Sequence, residues 1–114
     1  MAAVTTGQLL LALQQACYGS SLVDHVVTHA LDADTLSVRV HLKHADTLIN
    51  VFYNVTADKV AFALVEAGRR IYGADNAKTG WHEHPFHDST QHIACAPVQF
   101  QDFLAQVEAH YGYP

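Results

Sequence analysis

His82 and His84 stand two residues apart, so in an extended backbone their imidazoles project to the same side. Paired imidazoles support two kinds of chemistry. One is general acid–base catalysis, in which a neutral ring takes a proton while a protonated one gives it, both near neutral pH. Metal-independent RNA cleavage is the plainest use: one group activates a ribose 2′-hydroxyl and the other protonates the leaving oxygen. The other is metal ligation, where His82, His84 and one of His87, His92 or Asp75 would offer three ligands to zinc or a similar divalent ion and leave a position open. In the first reading Arg69, Arg70 or Lys78 holds the phosphate. Asp75 and Asn76 orient the site, and Trp81 is available to stack on a base.

Each of these residues also has a structural reading. A His-x-His pair suits the polar rim of a strand, and Asp75-Asn76 is a common turn pair. Trp81 and Phe86 can cap the core. Arg69 and Arg70 face opposite ways in a strand, so only one of them can serve a given face.

Local charge favours an anion in this segment. Residues 69–92 hold three basic and three acidic side chains, whereas the rest of the chain carries the whole net charge of −5. Four of the nine histidines lie here, so the segment turns positive when they protonate.

The flanking elements must position these groups. Thr5 or Thr6 can cap a helix over residues 6–18, with Leu9, Leu10, Leu13, Ala16 and Cys17 at helical spacing and Gly19 ending it. Val23 to Leu31 is rich in β-branched residues. Leu36 to Leu42 alternates apolar and polar, and Ile49, Val51, Tyr53 and Val55 form the apolar face of a further strand. Val60 to Val65 follows, then Arg70 to Gly73. The breaks between these runs are too short for parallel crossovers, so the strands are expected to pair as antiparallel hairpins. From Ala74 to Ala96 periodicity disappears, and a structureless connection of that length in a small domain points to function. Pro97 suits the first turn of a closing helix whose stripe is Phe100, Phe103, Leu104 and Val107. The expected fold is α+β, a single domain over residues 1–114: a meander of about five antiparallel strands packed by an N-terminal and a C-terminal helix.

Composition bounds the class. Of 114 residues 50% are hydrophobic and 15% charged, enough for one core and against wholesale disorder. The acidic balance argues against a protein that coats nucleic acid, while leaving a local basic site open. Cys17 and Cys95 lack paired spacing and are expected as reduced, buried thiols. No apolar run approaches the ~18 residues that span a membrane, so a soluble cytoplasmic protein with no membrane partner is expected.

The stretch from Gly68 to Val107 resembles the small bacterial toxins of the TumE type. The residues that carry the likeness are Arg70-Ile71-Tyr72-Gly73-Ala74-Asp75-Asn76, His82-Glu83-His84 and Asp102-Phe103-Leu104-Ala105-Gln106-Val107. Two positions depart from the pattern: Ala74, where an aromatic is frequent, and Glu83, where a basic residue is common. The resemblance implies a toxin–antitoxin module with a small cognate antitoxin protein as partner, and RNA as the substrate of an endoribonuclease that uses no cofactor. Two other readings stay open beside it: a metal-binding domain or metallohydrolase on the same histidines, and a non-catalytic binding module that forms a homodimer.

Overall fold

In a computed structural model, which describes residues 3–78 and 80–113, the first element is helix α1 (Thr6–Tyr18). Thr5 begins it with a reciprocal cap: its hydroxyl accepts from the Gln8 amide at 3.1 Å, and the Gln8 side chain accepts from the Thr5 amide at 2.9 Å. Gly19 ends it. Thr6, Leu13 and Cys17 form its buried face.

Seven strands follow in sequence order: β1 (Val23–Leu31), β2 (Thr35–Leu42), β3 (Thr47–Asn54), β4 (Lys59–Glu66), β5 (Arg69–Asp75), β6 (His82–His84) and β7 (Ile93–Ala94). Every strand pairs antiparallel with its chain neighbour, so the order across the single sheet is β1 to β7. The connections are tight. Ala67 and Gly68, both at positive φ, make a two-residue turn between β4 and β5 whose twist matches the strands it joins.

Alternation decides which face is covered. Leu36, Val38, Val40 and Leu42 of β2 point to the same side as Ile49, Val51 and Tyr53 of β3, Phe62 and Leu64 of β4, and Tyr72 and Ala74 of β5. Helix α2 (Phe100–His110) lays Phe100, Phe103, Leu104 and Val107 on that face beside α1. The Phe62 ring is a hub, with centroids 5.4 Å from Phe103, 5.7 Å from Tyr53 and 5.9 Å from Phe100. Among the described residues the opposite face carries no helix.

The α+β class, both helices and the antiparallel meander are as the sequence indicates, but there are seven strands rather than about five. The expectation of a structureless connection from Ala74 to Ala96 does not hold: β5 runs on to Asp75, and β6 and β7 add a hairpin to its edge. Strands of three and two residues are too short to display an alternating pattern. Helix α2 begins at Phe100 with Gln99 as its cap, so Pro97 lies before the helix and not in its first turn. Among the described residues no helix is long and apolar enough to cross a membrane.

Candidate functional site

Strand register builds the site. Asp75 pairs with His82 and Gly73 with His84, while Ala74 pairs with Glu83. Ala74 belongs to the core face, and Glu83 lines a cavity there with Tyr72, Phe86 and Phe103. Asp75, His82 and His84 therefore share the open face. His82 pairs with Ala94 and Glu83 with Ile93. Continuing that register sets His92 opposite His84, on the same face.

The three imidazoles gather against one carboxylate. The His84 Nε2 bonds Asp75 Oδ2 at 2.9 Å, and the His82 Nε2 stands 3.0 Å from Asp75 Oδ1 in ion-pair contact. Ring centroids lie 5.6 Å apart for His82 and His84, 5.1 Å for His82 and His92, and 4.5 Å for His84 and His92. His84 is 2% exposed, and its Nδ1 bonds the Gln91 carbonyl at 3.0 Å. Both partners of His84 are acceptors, so the two bonds coexist only when both ring nitrogens donate. His84 is thereby committed at each end. Only one nitrogen of His82 is engaged in this way, and His92 is exposed.

Electrostatics separates the members. Burial acts to raise the Asp75 carboxyl, but the hydrogen bond from His84, the amide of Ala77 and the charges of His82 and His84 together hold it below its ordinary value. His92, although exposed, loses hydration where it lies against the other rings. That loss first, and then the charges of His84, His82 and Lys78, push it below the usual imidazole value against the opposing pull of Asp75.

Neighbouring residues hold the cluster in place. Arg70 donates from its guanidinium to the Ser89 carbonyl, and Ser89 returns a bond from its hydroxyl to the Arg70 carbonyl, both at 3.0 Å, which straps the loop after β6 to β5. Gly73 lies under the cluster. A Cβ there would stand 3.1 Å from the Phe62 carbonyl oxygen and 3.3 Å from both Arg70 Cδ and His84 Cδ2. The absence of a side chain at Gly73 is what lets the His84 ring and the Arg70 stem close over the strand.

The other expected site residues divide. Asn76 does not orient the histidines: its Oδ1 accepts from the Val60 amide at 2.8 Å and its Nδ2 donates to the Asp58 carbonyl at 2.7 Å, tying the strand end to the β3–β4 turn. Arg69 opens β5 while Asp75 closes it, about 20 Å apart along a strand. Trp81 packs against the core, 6.5 Å from the Phe62 ring centroid. Lys78 is exposed, and its charge reaches His92. Of the four histidines considered as metal ligands, His82, His84 and His92 come together, each with a ligand atom within 4.8 Å of the others. His87 instead lines the cavity on the core face. Sequence spacing placed His92 among several candidates; the hairpin register singles it out.

No protein-family model, curated protein or solved structure matches the chain.

Proposed function

We propose that the cluster is an RNA-cleaving site, and that the chain is a toxin-like endoribonuclease held in check by a small antitoxin protein. The observation that carries the cleavage reading is one carboxylate, Asp75, bound to two imidazoles with a third, exposed ring, that of His92, against both. The resemblance in Arg70…Asp75-Asn76, His82-x-His84 and the Asp102-Phe103-Leu104 helix supports the toxin part. His92, held below the usual imidazole value, takes the proton of a ribose 2′-hydroxyl. The 2′-oxygen attacks phosphorus, the bond from phosphorus to the 5′-oxygen breaks, and the imidazolium of His82 protonates that oxygen. The products are a 2′,3′-cyclic phosphate and a 5′-hydroxyl. His84 is a positioning residue that fixes Asp75. The guanidinium edge of Arg70 not used on Ser89 faces the phosphate.

Expression of the chain should arrest bacterial growth. Purified protein should cut single-stranded RNA in the presence of chelator, and His82→Ala or His92→Ala should each slow cleavage roughly 10²- to 10⁴-fold. Undiminished cleavage by both variants would end this assignment. The grouping of three imidazole ligand atoms within 4.8 Å favours one competitor, a divalent metal on His82, His84 and His92. Opposing it, His84 already spends both nitrogens on Asp75 and Gln91. Stoichiometric zinc in untagged protein, with cleavage abolished by chelator, would put the metal reading in its place.

A further inference from the structure

The open face of the sheet beside the histidine cluster has its own order. Strand register lays two rows across it. One runs Ser37, Phe52, Ala61, Asp75, His82, and the other Arg39, Asn50, Ala63, Gly73, His84. In each row β4 contributes a low point, Ala61 in the first and Ala63 in the second. The taller side chains of β1 to β3, among them His29, Arg39, Asn50 and Phe52, rise beside it. The result is a trough of about 390 Å³, lined by His29, Arg39, Asn50, Phe52, Ala61 and Ala63. From Phe52 the first row runs on through Ala61 to Asp75, two strands or about 10 Å away.

The chemistry of the walls is specific. Phe52 is 38% exposed on a sheet whose other large apolar rings are mostly turned to the core. Arg39 is exposed and joins no ion pair among the described residues. Asn50 presents an amide that can both give and accept a hydrogen bond. Asp75 is the sole carboxylate in the two rows, and its charge is taken up by His82 and His84. In a chain of net charge −5, this leaves a carboxylate-free trough with an aromatic platform, a cation and a base-reading amide.

We propose that this trough is the binding subsite for single-stranded RNA. One unpaired base stacks on Phe52, Asn50 hydrogen-bonds its edge, Arg39 meets a backbone phosphate, and the strand continues over Ala61 and Ala63 toward Asp75 and the histidines. The inference rests on the cluster being an RNA-cleaving site, and it names where and in what form the substrate lies. Duplex RNA is excluded by the same chemistry, because a stacking platform needs a splayed base.

The test uses the intact chain and a labelled single-stranded oligoribonucleotide with 2′-O-methyl groups throughout, which binds but offers no 2′-hydroxyl nucleophile. Fluorescence anisotropy then reads binding independently of cleavage. Phe52→Ala should weaken binding roughly 5- to 150-fold, the range for loss of one stacked base, and Phe52→Tyr should restore it. Arg39→Ala should lower the salt slope by about one phosphate contact. Both positions are exposed, and unchanged thermal melting of the variants establishes that they fold. Unaltered affinity in Phe52→Ala and Arg39→Ala would overturn the subsite while leaving the cleavage reading intact. Groove-dependent binding by a chain that cuts no unmodified RNA would retain the subsite and remove the cleavage reading. Equal affinity for a duplex of the same sequence, no binding at all, or a wild-type dimer that Phe52→Ala converts to monomer would each overturn the proposal.

Discussion

Asp75 is placed where partial burial opposes its charge and two imidazoles reward it, and the second influence prevails. Its folded-state pKa lies below the ordinary 3.8, so it contributes stability above that value and loses it as pH falls through the folded one. Asp75→Asn keeps an acceptor oxygen for His84 but removes the charge, and should cost about 1 kcal/mol at pH 7. The gap in melting temperature between wild type and Asp75→Asn should persist at pH 4 and close only at lower pH, as the fall in pH from 3.8 through the folded-state pKa neutralises the wild-type carboxylate; a gap that stays constant with pH would refute the charge argument. Asn76 next to it is a contrasting case. Its two backbone bonds leave the partly buried Val60 amide without a partner when the side chain is removed. Asn76→Ala should lose about 1 to 3 kcal/mol in urea unfolding and retain wild-type cleavage per folded molecule. A loss of activity beyond the loss of folded protein would return Asn76 to the site.

Elements act on the cluster through pairing. The β6–β7 hairpin is attached to the sheet by few residues, and the Arg70–Ser89 strap and the bond from His84 to the Gln91 carbonyl supplement that pairing. Gly73 is the point on β5 over which the His84 ring and the Arg70 stem close. Gly73→Ala would force the His84 ring and the Arg70 stem outward by a few tenths of an ångström, and it cannot displace the Phe62 carbonyl, which is backbone. The expected outcome is a folded protein, by circular dichroism, whose cleavage rate falls at least tenfold as the His84–Asp75 bond lengthens. Elements with long periodic signals were legible: the Thr5 cap, the alternation of Leu36 to Leu42, and the Phe100–Phe103–Leu104–Val107 stripe read directly. The hairpin was not, because three- and two-residue strands take their conformation from the edge of β5 and not from local preference.

At the scale of the whole molecule, the sheet separates a dry side from a working side. Cys17, 5% exposed on the buried face of α1, has its thiol pushed up to about 11 by burial, and Cys95, half-buried near the hairpin, is raised as well. In native protein at pH 8 a thiol-alkylating reagent should therefore label Cys95 ahead of Cys17, with the difference erased in urea. Equal native rates, read by mass spectrometry, would mean that α1 does not seal the core. The sequence by itself determined the two helices, the antiparallel meander and the segment in which the polar chemistry is concentrated, because periodicity and short breaks are local properties of the chain. It also set His82 and His84 on one side, through the two-residue period of a strand. Only the tertiary structure decided the membership of the cluster. Asp75 meets His82, and His92 comes opposite His84, because neighbouring strands share a register. The same register sent Glu83 and His87 to the covered face, tied Asn76 to the β3–β4 turn, and left Phe52 and Arg39 in line with the histidines on the open one. Register joins residues through hydrogen bonds between strands, and no single segment contains that information.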